Sequence, residues 1–72
     1  MKKIVITEFM DQAAVNSLTA DFEVLYDPSL ADKTDELLRA IRDADAIIVR
    51  NRTQVRGELL ATAVKLTVVG RL

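Results

Sequence analysis

The sequence predicts an α/β layer: an all-parallel, doubly wound sheet of four strands in the order 2-1-3-4, with a helix in each connection. Three observations lead there. Apolar runs without alternation recur at Ile4-Val5-Ile6, Ala46-Ile47-Ile48-Val49 and Leu66-Thr67-Val68-Val69, the pattern of strands covered on both faces. Between the strands lie segments whose apolar positions repeat at helical spacing, and a crossover carrying a helix returns the chain to the same end of the sheet, so the strands run parallel. The 72 residues have room for one sheet and a few helices, and right-handed crossovers with one reversal after the second strand give the order.

Lys2-Lys3-Ile4-Val5-Ile6-Thr7 is the first, central strand. Glu8-Phe9-Met10 connects it to a helix capped by Asp11 and running to about Ala20, with Ala14, Val15 and Leu18 on one face. Phe22 to Tyr26 returns as a short strand, and Glu23 places it at a sheet edge. Asp27-Pro28-Ser29-Leu30 is a turn, because proline fixes φ while Asp and Ser bond locally to backbone. The second helix runs from about Lys33 to Asp43, with Thr34, Leu37, Leu38 and Ile41 at i, i+3, i+4 and i+7. Asp32 or Thr34 caps it, and Arg39 and Arg42 complement its dipole near the C-terminus. Ala46 to Val49 is the third strand, followed by polar Arg50-Asn51-Arg52-Thr53-Gln54. A third helix covers roughly Val55 to Ala63, with Val55, Leu59, Leu60 and Ala63 inward, and Leu66 to Val69 is the fourth strand. That strand is as apolar as a central one, yet nothing after it covers its far edge. Residues 1–72 therefore read as a single partial domain, the front of a longer one, and the open edge invites pairing or element exchange with a second copy as a homodimer.

Composition excludes several chemistries. There is no cysteine and no histidine, which rules out disulfides, thiolate or histidine metal sites and a histidine-based hydrolase triad. A net charge of -1 argues against nucleic acid as a partner. The N-terminal apolar run is too short for a signal peptide, and nothing approaches a membrane span of about 20 apolar residues, so the expectation is a soluble, cytoplasmic protein with no membrane partner.

A dinucleotide site would need G-x-G-x-x-G after the first strand, where this chain has Thr7-Glu8-Phe9-Met10-Asp11, so no cofactor site is expected there. A phosphorylatable receiver domain needs an aspartate ending the third strand, and Arg50 stands in its place. The arginines are the sharper clue. Parallel strands put the ends of strands three and four, and so Arg50 and Arg71, on the carboxyl edge where open α/β sheets hold ligands. Two guanidiniums there point to bidentate capture of a carboxylate, phosphate or sulfonate, supported by backbone N–H groups of the following turn. The plain alternative is that strand-end arginines are solvated and contribute little. Arg52 and Arg56 read as surface charge, and Asn51 and Thr53 as turn former and helix cap. Glu8 ends the first strand as a possible base, although a lone carboxylate at such a place is ordinarily exposed. Gly57, early in the third helix, either permits close packing or loosens the helix start.

The run Ala44-Asp45-Ala46-Ile47-Ile48-Val49-Arg50-Asn51-Arg52-Thr53-Gln54-Val55, with Glu58-Leu59-Leu60 and Leu66-Thr67-Val68-Val69-Gly70-Arg71, resembles the N-terminal substrate-binding region of D-isomer-specific 2-hydroxyacid dehydrogenases of the phosphoglycerate dehydrogenase type. Lys3 to Glu8 fits the same pattern, so the resemblance covers essentially the whole chain. It implies an incomplete flavodoxin-like sheet, finished by a later part of the parent chain, and an inserted Rossmann domain that binds NAD in the parent. It also implies that Arg50 and Arg71 contact the acid group or distal anion of a small 2-hydroxy or 2-oxo acid, and that Asn51, Arg52 and Thr53 form the substrate loop. Phosphoglycerate, glycerate and sulfolactate are all compatible with two arginines. The chain departs from the family where Asn51 replaces a usual Ser and Arg56 a usual Thr or Asp cap. The family's glycine-rich continuation, nucleotide fingerprint and catalytic arginine, glutamate and histidine lie beyond these residues. The resemblance thus implies a substrate-domain fragment that binds no cofactor and is not catalytic alone.

Overall fold

β1 (Lys3–Ile6) occupies the middle of the sheet because it pairs on both sides, parallel to β2 (Glu23–Tyr26) and to β3 (Ala46–Val49), while β4 (Val68–Arg71) adds to the far side of β3. The order is therefore β2-β1-β3-β4, all parallel, as expected. This is a computed structural model that describes residues 2–53, 55 and 57–72. The expected features at Gln54 and Arg56 lie outside the described residues.

The crossovers are α1 (Gln12–Thr19), α2 (Thr34–Ile41) preceded by a 3-10 turn at Leu30–Asp32, and α3 (Glu58–Thr62). Side chains alternate across a strand, so neighbouring residues of β1 enter different cores. Val5 joins Ile47, Val49, Leu37, Ile41 and Leu59 under α2 and α3. Ile4 and Ile6 join Val15 of α1 on the opposite face. Val5, Ile6, Ile41 and Ile47 are 0 % exposed, and each contributes roughly 1.5–3 kcal/mol of hydrophobic burial.

The ends of the elements refine the sequence-based expectations. Asp11 caps α1 as expected, its carboxylate accepting the Ala14 N–H at 3.4 Å. Neither Asp32 nor Thr34 caps α2. Lys33 is the N-cap and makes no side-chain capping bond, Thr34 is already the first helical residue, and the Asp32 carboxylate is engaged by the Arg52 guanidinium. The third helix is shorter than expected because Gly57, at φ 61° and ψ −127°, has a backbone no helix contains, so α3 begins only at Glu58. Val55 consequently packs on the core from the loop, and Leu60 is exposed. The fourth strand lies two residues later than its apolar run. The partner sets this register: Ala46 pairs with Val68 and Val49 with Arg71, while Leu66 turns into the α2/α3 core before the ladder begins. Arg71 is thus a strand residue, and Val68 and Val69 line an open edge at 57 % and 45 % exposure.

Three further bonds fix the sheet's ends. Asp45 accepts the Lys3 N–H at 2.8 Å, tying the start of β1 to the residue before β3. At the other end the Tyr26 hydroxyl accepts the Met10 N–H at 3.2 Å and donates to the Met10 carbonyl at 3.1 Å, holding the connection after β1. No helix among the described residues is long and apolar enough to cross a membrane.

Candidate functional site at the carboxyl rim

β1 and β3 run parallel with Ile6 opposite Ile48, so extending that register by two residues sets Glu8 beside Arg50. β4 ends level with them, Arg71 opposite Val49. Arg50 and Arg71 therefore share one rim of the sheet, as the parallel topology requires.

They also touch. Arg71 donates from Nη1 to the Arg50 carbonyl at 2.6 Å, and Arg50 reaches from its own Nη1 toward the Phe9 carbonyl at 3.4 Å. Both side chains are exposed and, among the described residues, neither is ion-paired with a carboxylate. Arg52 differs: its guanidinium is paired with Asp32 in an exposed contact worth little in water. Asn51 is exposed at the tip of the same loop.

Glu8 overturns the expectation of a solvated carboxylate. It is 3 % exposed, and its two oxygens accept N–H bonds from Arg50 at 2.8 Å, Arg52 at 2.9 Å and Thr53 at 3.0 Å. Burial pushes this carboxyl up, but the N–H groups of Arg50, Thr53 and Arg52, with the Thr53 hydroxyl, outweigh it and bring the pKa down to about 2. A carboxylate so weakly basic and so fully engaged is no general base at neutral pH. The same bonds correct a second expectation. The N–H groups thought to support a ligand belong to Glu8, and in the run from Arg50 to Thr53 only Asn51 does not give it one.

Thr53 is buried, 5 % exposed, with its hydroxyl 2.8 Å from that of Thr7, itself 0 % exposed. It does not cap α3, because Gly57 holds that position. Sequence reasoning missed the roles of Glu8 and Thr7. The available signal was the register, since a carboxylate two residues past a central strand lies level with the loop that leaves its neighbour.

A cleft of about 310 Å³ opens beside the loop between Thr34 of α2 and Glu58 of α3, with Arg52 and Thr53 on its wall. Arg50 and Arg71 do not line it. A second, apolar cleft of about 370 Å³ lies on the α1 face, between Leu18 and Phe22 on one side and Ile48 and Val68 on the other. Among the described residues no group of three or more His, Cys, Asp or Glu side chains is placed to hold a metal. The β1–α1 turn does not suit a dinucleotide, because it has no glycine and the Glu8 carboxylate stands where a pyrophosphate would need donors.

Residues 4–72 match the family described as D-isomer specific 2-hydroxyacid dehydrogenase, catalytic domain. The chain is 47% identical over 72 residues to the (S)-sulfolactate dehydrogenase of Chromohalobacter salexigens, an alignment covering 100% of this chain and 23% of that protein. It is 37% identical over 71 residues to the D-3-phosphoglycerate dehydrogenase of Methanocaldococcus jannaschii, covering 99% of this chain and 13% of that one. The chain thus spans less than a quarter of either relative's length.

Proposed function

Since this chain belongs to the D-isomer specific 2-hydroxyacid dehydrogenase family, through that family's catalytic domain, we propose that it forms one wall of the site holding the substrate's anionic groups. Arg50 and Arg71 are the groups that grip the anions of a small 2-hydroxy or 2-oxo acid. Asn51, Arg52 and Thr53 form the supporting loop, with Thr53 acting from inside. The observation that carries this reading is the meeting of the two arginines at the carboxyl rim, joined by the bond from Arg71 to the Arg50 carbonyl at 2.6 Å. A guanidinium fits a carboxylate, sulfonate or phosphate through two parallel N–H bonds, and it keeps its charge at any working pH.

The family's NAD is held by residues outside this chain, and so is the group that moves the substrate proton. The role of these residues is to bind and orient, not to react. Two relatives bear the names of a sulfonated and a phosphorylated three-carbon acid, each carrying two anionic groups, and two guanidiniums match that number.

Titrating the 72-residue chain with 3-phosphoglycerate and with sulfolactate, followed by amide chemical shifts, tests the reading. Saturable shifts are expected around Arg50 and Arg71, with affinity falling about tenfold in Arg50→Ala and in Arg71→Ala, the loss of roughly one charge-assisted bond. Affinity unchanged in both variants would refute it. With NAD and either acid added, the chain alone turns over neither.

A second reading follows from the open β4 edge, where Val68, Val69 and Leu72 are 57 %, 45 % and 56 % exposed. A second copy pairing there would form a homodimer. Sedimentation that shows only monomer at high concentration rejects it.

A further inference from the structure

A charged side chain taken out of water must be held by donors, and the donors of Glu8 all come from one segment. The bonds from Arg50, Arg52 and Thr53 bridge 42 to 45 residues of sequence and gather on the two oxygens of one carboxylate. Successive backbone N–H groups turned to a common point are how a loop cradles an external anion. Here the anion is part of the chain.

The cradle also reaches the arginine pair. The Arg50 peptide is held from both sides, its N–H by Glu8 at 2.8 Å and its carbonyl by Arg71 at 2.6 Å. Below it the paired hydroxyls of Thr7 and Thr53 close the floor, and among the described residues no buried side-chain nitrogen or oxygen lacks a partner.

We propose that Glu8 is the positioning residue of the anion site: a built-in carboxylate that fills the amide cradle of the Arg50 loop, fixes the Arg50 backbone, and so aims the guanidiniums of Arg50 and Arg71. This rests on the reading of those arginines as the pair that holds the ligand. Two consequences follow from geometry. In the wild-type chain the cradle is closed to outside anions, so the ligand meets side chains and not the loop backbone. Removing the side chain at position 8 opens a cavity lined by three N–H donors, which a small carboxylate can enter. An aspartate is one methylene too short to meet all three, and a glutamine turns an N–H₂ group toward donors.

The test uses the 72-residue chain, with 3-phosphoglycerate as ligand and formate as the replacement carboxylate. In Glu8→Ala, hydrogen exchange at the Arg50, Arg52 and Thr53 amides accelerates at least about tenfold more than at Val5 or Ile47, the equivalent of losing about one buried bond. Formate restores the protection saturably, and chloride at equal ionic strength does not. In Glu8→Gln, binding of 3-phosphoglycerate weakens about tenfold, and adding Arg50→Ala weakens it by much less than in the wild type, the non-additivity of residues acting through one another. Should Glu8→Ala fail to fold, scalar couplings across the bonds from the three amides to the Glu8 carboxyl carbon in the wild type, with the Glu8→Gln cycle, decide the matter. Amides as protected in Glu8→Ala as in the wild type, formate no better than chloride, absent couplings, or losses from Glu8→Gln and Arg50→Ala that simply multiply would overturn the proposal. Couplings in the wild type and formate rescue in Glu8→Ala, together with a wild-type chain that binds no 3-phosphoglycerate, refute the arginine reading and leave Glu8 as a clasp of the loop only.

Discussion

Lowering the pH is the most direct way to ask whether the ionised form of Glu8 holds the rim together. Its pKa falls from an ordinary 4.5 to about 2 in the folded chain. At about 1.4 kcal/mol for each tenfold change in proton affinity, that depression corresponds to about 3 kcal/mol, and to roughly 2 once water near the rim is allowed for. A depressed folded pKa means the contribution is fully present above the unfolded value. It is lost as the pH falls from about 5 and passes the folded value near 2. A chain of this size has only about 4–10 kcal/mol in total, so the loss is a large share. Asp27, held low by the Ser29 hydroxyl and N–H, and Asp45, held low by the Lys3 N–H, also give up stabilising bonds in acid, so the wild type alone does not isolate Glu8. The comparison with Glu8→Gln does. Urea unfolding followed by circular dichroism should show the variant roughly 2 kcal/mol less stable near neutrality, with the gap narrowing below about pH 5. A gap that stays constant down to about pH 2 refutes the view that the carboxylate charge is what binds the loop.

Two other outcomes test neighbouring features by thermal or urea unfolding. Thr7→Val removes one of two buried hydroxyls that lie 2.8 Å apart and should cost about 1 kcal/mol, less in a Thr53→Val background, where the partner is already gone; equal costs in both backgrounds would show that the hydroxyls are not coupled. Gly57→Ala should cost about 1–2 kcal/mol although a Cβ there meets nothing within 4 Å, because the penalty lies in a backbone with φ 61°; an unchanged midpoint would show that the α3 entry readily adopts another conformation.

The strands and their order were readable because β-branched runs and right-handed crossovers are local signals with a global consequence. What escaped the sequence was decided between segments. The fourth strand was expected at its most apolar stretch, but β3 presents a four-residue ladder that selects Val68 to Arg71, and an edge strand tolerates Gly70 and Arg71 because one side faces water. Gly70 packs over Ile48, whose Cγ1 would stand 3.5 Å from an added Cβ. Asp32 has the chemistry of a helix cap, but its position serves Arg52 instead. The arginine pair was legible because strand ends in a parallel sheet must share a rim. The burial of Glu8 was not, because a carboxylate reads as surface until the loop that closes over it, 42 residues along, is known to supply its donors.

The placement of Arg71 within β4 links recognition to fraying. Among the described residues that strand is hydrogen-bonded along one side only, through β3, and the bond from the Leu72 N–H to the Val49 carbonyl at 2.8 Å closes its tip. Whenever the tip peels away, one guanidinium leaves with it, and under the proposed function the remaining arginine would meet the acid alone. On the proposed reading, the apparent affinity for the acid would be scaled by the fraction of time the tip is docked, and a bound acid would in turn favour the docked tip. Whatever clamps the outer side of this strand would therefore tighten binding without touching the ligand.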